Sequence, residues 1–343
     1  MKHSNSYSFA PFGTRLALAA LAIAGLLFSC AQESKEPLVV YGLKGPSSVG
    51  MAKMFLDNDP SLSPSTPEGA AADASAPRAS IRPEILPGVD IMTAKFAAGE
   101  AVAGILPPNV AAKLAAKGVD IQVAAVVGQG MLAILGSDGS IARPRDLAGK
   151  TVHVAAAGST PDYVFRRILA ANELEPGVNI SLEFSLPTPE ITQGLIAGRL
   201  DIAVLPEPFA SMALRGNKDL HELFDVQSAW KDATGVPDYP MTVLVISREW
   251  ARQSRTGVED LMNAYRESVD WVLANPDEAS LVAEAAGIGV KAAALRQAIP
   301  RSAYRFVNAA AARGELEALY ELFLAFEPAS IGGALPADSF YWK

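Results

Sequence analysis

Cysteine is nearly missing from this sequence: one thiol, that of Cys30, serves all 343 residues. No internal disulfide can form, so the fold must rest on burial of apolar surface. Histidine is almost as scarce, with His3, His153 and His221 the three present. Without a thiol pair beside them the ligand spacings of a zinc site are missing, and no metal or other cofactor is expected. His153 alternates with Val152 and Val154 as a strand residue does, His221 sits in a polar stretch, and no serine–histidine–acid set has a supporting context. No catalytic residue is therefore assigned. Clusters of basic residues are lacking as well: 29 lysines and arginines face 37 acidic side chains. An acidic chain of this kind argues against nucleic acid as a partner.

The longest apolar run is Leu16 to Phe28, thirteen residues preceded by the positive charges of Lys2 and Arg15. It is too short to span a bilayer and suits the hydrophobic region of a secretory signal. Leu27-Phe28-Ser29-Cys30 then resembles a bacterial lipobox, with the lone cysteine where a thiol is acylated and becomes the new N-terminus. Residues 1–29 thus read as a lipoprotein signal peptide, Cys30 as the lipidation site and 30–37 as a polar tether. Removing Lys2 and Arg15 with the signal leaves 27 of the 29 basic side chains against 37 acidic ones, a net charge of −10. At this length two domains are expected.

The stretch "VYGLKGPSSVGMAKMF" from Val40 joins a strand-like run to an amphipathic segment. Gly45 and Gly50 have the spacing of a phosphate-binding loop, but Met51 and Ala52 stand where that loop needs lysine and a hydroxyl. What remains is a helix N-terminus carrying Ser47 and Ser48, either a polar-group site or a pair of caps. From Asp57 to Glu84 the chain is rich in proline, serine and alanine and lacks aromatic residues, and most of it, about 57–84, reads as a mobile insertion. Beyond it, β-branched runs at Ile121, Thr151, Asn179, Asp201 and Met241 alternate with helical segments, the pattern of an α/β fold with largely parallel sheets. From Val258 the chain reads as helix almost throughout.

Ala97 to Ala111 lines up with Ile196 to Ala210 at a constant offset of 99, with alanine, glycine, leucine, proline and alanine coinciding at five places. Each copy reads as helix end, glycine turn, buried strand and proline at the strand's carboxyl end. Two such units suggest two similar lobes, each presenting the strand ends at which α/β sheets bind ligands.

Several segments, taken in order, resemble a known family. They are Asp146-Leu147-Ala148-Gly149-Lys150-Thr151-Val152, Gly158-Ser159-Thr160-Pro161, Ala197-Gly198-Arg199-Leu200-Asp201-Ile202-Ala203 with Pro206-Glu207-Pro208-Phe209-Ala210, Asn275-Pro276-Asp277-Glu278-Ala279, and the tail from Ser330 to Pro336. The chain resembles the substrate-binding lipoproteins of ABC importers of the nitrate/sulfonate/taurine and thiamine-precursor type, over nearly all of Leu38 to Lys343. It departs from them at Val102, where the first copy often carries aspartate, and in the insertion. The resemblance implies a two-lobe, type II periplasmic-binding fold with the ligand cleft between the lobes. Lobe 1 would comprise 38–128, with the insertion at 57–84, and 240–343; lobe 2 would comprise 129–239.

It further implies a monomer without enzymatic activity, anchored by lipid at the extracytoplasmic (periplasmic or outer) face of a membrane. There it would capture a small organic or anionic solute and deliver it to an ABC permease and its ATPase. Gly45 to Ser48 and Gly158 to Pro161 would face each other as opposed helix N-termini, with Thr160 as the second helix's cap and Pro161 at its first position. The ligand-binding residues expected are Tyr41, Lys44, Ser47, Ser48, Asn109, Gln129, Ser159, Thr160, Glu207 and Tyr239. For several a structural role competes: core packing for Tyr41 and Tyr239, solvation for Lys44, bending for Gln129, and a backbone partner rather than a ligand amine or ring N–H for Glu207. Two other functions remain open, an enzyme on the same fold acting on a thiamine- or menaquinone-type precursor and a solute sensor for a signalling partner.

Overall fold

The structure, a computed structural model, describes residues 1, 37–64, 80–154 and 157–343. Cys30 and, Met1 aside, the leader read over 1–29 lie outside the described residues, as do most of the tether and residues 65–79 of the insertion. The chain first lays down β1 (Leu38–Leu43), β2 (Ile81–Leu86), β3 (Ala103–Leu106) and β4 (Ile121–Gly128), then crosses to a second sheet. There it forms β5 (Leu132–Gly136), β6 (Thr151–Val154), β7 (Ser181–Glu183), β8 (Ile202–Pro206) and β9 (His221–Glu222). It returns with β10 (Thr242–Ser247) and β11 (Tyr304–Asn308). The first sheet has the order β11-β4-β10-β3-β1-β2 and the second β7-β6-β8-β5-β9.

In the first sheet β1 runs parallel to both β2 and β3, and β10 is inserted antiparallel between β3 and β4. This central position explains why "TVLVI" is apolar without alternation: both faces of β10 are covered, and these five residues are buried. In the second sheet β6 is parallel to β7 and β8, while β5 is antiparallel to β8. Helices cover the sheets with amphipathic stripes. The helix Arg255–Ala274 buries Val258, Leu261, Met262, Tyr265, Val269 and Val272 at three- and four-residue spacing, and its cap Ser254 accepts a bond from the Gly257 amide. Among the described residues no helix is long and apolar enough to cross a membrane.

Two expectations are corrected here. The insertion does not extend over 57–84: Asp57 and Asn58 end the helix Ala52–Asn58, and Ile81 to Glu84 belong to β2. β2 is the sheet's edge, with Pro83 opposite Val40. An edge strand tolerates proline because its outward side needs no N–H donor. The chain after Val258, read as helix almost throughout, also contains a strand. β11 pairs antiparallel with β4, and Tyr304 stands opposite Gly128. The five residues "YRFVN" are too short and too interrupted by polar side chains to stand out from the helices on either side.

Candidate ligand-binding site

The repeated unit builds the site. In the first copy the helix Val89–Ala97 ends at Gly99 (φ 73°), β3 follows, and Pro107 closes the strand. In the second the helix Thr188–Ile196 ends at Gly198 (φ 63°), β8 follows, and Pro206 is its last residue. Glycine is suited to both turns because that backbone region strains side chains with a Cβ. Pro107 and Pro206 come from different sheets and line one cavity of about 300 Å³.

The cavity lies at the carboxyl ends of β1, β3 and β8, where Leu43, Leu106 and Glu207 contribute. Met131 leads into β5, Met241 and Thr242 open β10, and Ser47, Pro46, Pro161 and Phe209 complete the wall. A larger groove of about 680 Å³ between the helix Arg248–Gln253 and Tyr341 to Lys343 involves one sheet alone and lies at its opposite end. Of these two, the smaller cavity is the one that joins the strand ends of both sheets, which is where this architecture places ligands.

Glu207 is the one charged side chain among these lining residues. It is 2% exposed, and one carboxylate oxygen accepts from the Arg301 Nε at 2.6 Å while the other accepts from the Ser211 amide at 3.1 Å. A buried carboxylate is tolerable on these terms, with charge and lone pairs both answered. Each oxygen keeps a lone-pair site that a ligand donor can use.

Of the other residues expected at the site, Ser47 lines the cavity and Ser48 does not. Ser48 is fully buried and its hydroxyl donates to the Leu43 carbonyl at 2.6 Å, so it closes the turn after β1. The turn itself is the 3₁₀ segment Pro46–Met51 rather than an α-helical N-terminus. In the second lobe the helix is Thr160–Ala171, with Ser159 at the cap, Thr160 first and Pro161 second, so it begins one residue earlier than expected. Thr160 is buried, and it is Pro161 that meets the cavity. The Asp162 carboxylate takes the Gly158 amide at 2.8 Å and the Arg166 Nε at 2.6 Å, placing an acid at the positive end of the helix.

Tyr41 lies under the Lys95 ammonium, 5.3 Å from its ring centre. Lys44 is exposed, and its aliphatic chain runs over Gly289. Asn109 is half-buried in the first turn of the helix Pro108–Ala116. Tyr239 is fully buried, its ring edge-on to Trp230 at 5.4 Å. None of these four is in the cavity wall. Met131, Phe209, Met241 and Thr242 are, although only Phe209, within the "PEPFA" segment, carried any signal in the sequence.

Gln129 sits at the first crossover between the sheets, fully buried. It donates to Glu315 and accepts from Arg305 at 2.5 Å. The Asp238 carboxylate ties the two crossovers together, accepting from the Gly130 amide at 3.1 Å and the Tyr239 amide at 2.8 Å. Burial pushes both carboxyl groups above the usual range; Arg305 opposes the shift in each, and Asp238 adds to that of Glu315. A raised folded-state pKa in an acid disfavours the ionised form, so the penalty is absent below the ordinary carboxylate pKa and full above the raised one. Glu315→Gln is therefore expected to raise the melting temperature modestly at about pH 8 and to leave it unchanged near pH 4. Thermal unfolding at the two pH values checks this, and a loss of stability at pH 8 contradicts it.

The sequence and the fold both have relatives. A family model described as the NMT1-like family matches residues 93–287, more than half of the chain. The chain belongs to the NMT1-like family. No curated protein is significantly similar to it in sequence.

Among solved structures, this NMT1-like chain is similar to an ABC transporter protein from Parabacteroides distasonis. The two share 25% identity and a TM-score of 0.71, over 90% of this chain and 99% of that one. The periplasmic aliphatic sulphonate-binding protein SsuA from Escherichia coli is similar at 17% identity and a TM-score of 0.65, over 90% and 93% of the two chains. The alkanesulfonate-binding protein SsuA from Xanthomonas axonopodis pv. citri, solved bound to MOPS, is similar at 18% identity and a TM-score of 0.56, over 84% and 93%. At such identities the likeness to the two SsuA proteins is one of fold. The NMT1-like chain has the two-sheet, type II fold of ABC-transporter substrate-binding proteins.

Proposed function

We propose that this protein is the extracytoplasmic solute-binding component of an ABC importer. In this reading it is a monomer, without catalytic activity, anchored through lipid on Cys30 and serving a permease and its ATPase. The family supports the role, as do structural relatives described as an ABC transporter protein and as a periplasmic sulphonate-binding protein. The cavity supports the mode of capture: a solute in it touches Ser47 and Thr242 on one side and Glu207 and Phe209 on the other. Contacts with both lobes favour the closed arrangement.

The observation that carries the reading of the ligand is Glu207. The cavity wall offers one negative charge, hydroxyls, two methionines, a phenylalanine and four prolines, whose nitrogens carry no hydrogen. Such a wall suits a small organic solute with an apolar body and an N–H donor, the pyrimidine-like end of the range, better than a free sulfonate or nitrate. The donor would bind the Glu207 carboxylate as a charge-assisted hydrogen bond.

The small molecule that co-purifies with native protein, identified by mass spectrometry, is the ligand for the test. Its addition should raise the melting temperature by linkage. Glu207→Gln should weaken its binding by about 10- to 100-fold in calorimetry, the value of roughly 1.5–3 kcal/mol for a hydrogen bond to a charged group. Unaltered affinity, or an anion as the bound molecule, overturns the assignment of the donor. Failure to find any small molecule that binds overturns the receptor reading itself.

A further inference from the structure

Arg301 ends the 3₁₀ turn Ile299–Arg301, between the helix Ala292–Ala298 and β11, on the first-sheet side of the molecule. Its guanidinium nevertheless reaches two acids on the second-sheet side, Glu207 directly after β8 and Glu222 on β9. Nε donates to Glu207 at 2.6 Å, and Nη2 donates to Glu222 on β9. Three residues on, the Tyr304 hydroxyl donates to the Pro46 carbonyl at 2.8 Å, so the same short segment holds the opposite wall of the cavity. The helix Ala292–Ala298 packs against Phe209–Gly216, which seats the turn at the junction of the two lobes. We infer that Arg301 is a positioning residue, a clasp across the lobes that sets the Glu207 carboxylate in the cavity wall.

The physical reason is the cost of parting them. Glu207 is 2% exposed, and a carboxylate so buried is strongly unfavourable once its cation withdraws. Glu222 is partly exposed and takes the second arm of the guanidinium, which fixes its plane. Arg301 and an occupant of the cavity therefore share one carboxylate, and the position of the lobes is coupled to what Glu207 binds. This rests on the reading of the cavity as a solute site that closes, but the clasp can be tested with the cavity empty.

Hydrogen exchange of the full, lipidated protein in detergent, without added solute, reads the clasp directly. In Arg301→Ala, peptides covering 206–213 and 296–304 should exchange about tenfold faster or more, the effect of losing a charged hydrogen bond. Peptides covering β4 and β10 should keep their wild-type rates. Arg301→Lys, a point charge without the fork, should restore part of the protection. Glu222→Gln alters an accessible residue outside the cavity wall, and should give the same pattern to a smaller extent. Unchanged exchange in both segments, or equal acceleration in β4 and β10, overturns the proposal. If Arg301→Ala does not fold, Glu222→Gln decides alone, and wild-type rates in it are fatal. A confirmed clasp in a protein that binds no solute would count against the reading of the cavity and leave that of Arg301 standing.

Discussion

Cys30→Ser is expected to remove the protein from the membrane fraction or leave it unprocessed, an all-or-none effect. The argument is covalent. The apolar run from Leu16 to Phe28 is too short to hold the chain as a transmembrane helix, so the anchor of the proposed function rests on acyl chains. One chain gives marginal, reversible binding, at about 0.8 kcal/mol for each buried methylene, and two give a stable anchor. The only thiol in 343 residues stands one residue beyond that run, after Ser29, and a serine hydroxyl cannot take its place. Fractionation of cells together with mass spectrometry of the mature N-terminal peptide measures both halves of this. Wild-type protein recovered without acyl chains, cut at another site, would remove the anchor from the proposed function.

Trp230→Ala should produce the largest loss of stability among single core substitutions. Trp230 lies on the helix Val226–Thr234, is fully buried, and meets Tyr239 edge-on next to the second crossover. The same helix packs against Thr160–Ala171, whose Pro161 lines the cavity. Its indole nitrogen is buried and makes no hydrogen bond, so truncation removes packing without releasing a polar partner. A tryptophan-to-alanine change at such a site costs about 3–5 kcal/mol. In a chain of this size that is a fall in melting temperature on the order of 10 °C. Thermal unfolding followed by circular dichroism checks it; a fall of only a degree or two would mean that the surrounding side chains collapse into the space.

The repeat at offset 99 shows how far local pattern reaches. Glycine turn, buried strand and terminal proline are all short-range features, and each copy folds accordingly, at β3 with Pro107 and at β8 with Pro206. Ser48 shows the limit. Its position in a Gly-Pro-Ser-Ser turn was legible, but whether its hydroxyl faced solvent or the strand depended on the Leu43 carbonyl five residues back. The same holds at Gln129: a glutamine between two glycines suggested a bend, while its partners Glu315 and Arg305 are 186 and 176 residues away. Proline in β2 and polar residues in β11 hid two strands, because both gain their identity from the strands beside them.

The sequence by itself determined the α/β class, the family resemblance, and the strands whose burial on both faces makes them continuously apolar, β4, β8 and β10 above all. The class and the strands are written in periodicity and composition, which neighbouring residues carry together, and the resemblance in the order of its short motifs. Only the tertiary structure assembled the candidate site. Glu207 was visible as a carboxylate between prolines, but its partner Arg301 lies 94 residues on, in a segment with no local mark. Burial converts that separation into a 2.6 Å contact, because a carboxylate shielded from water must find a cation, and the fold determines which one arrives.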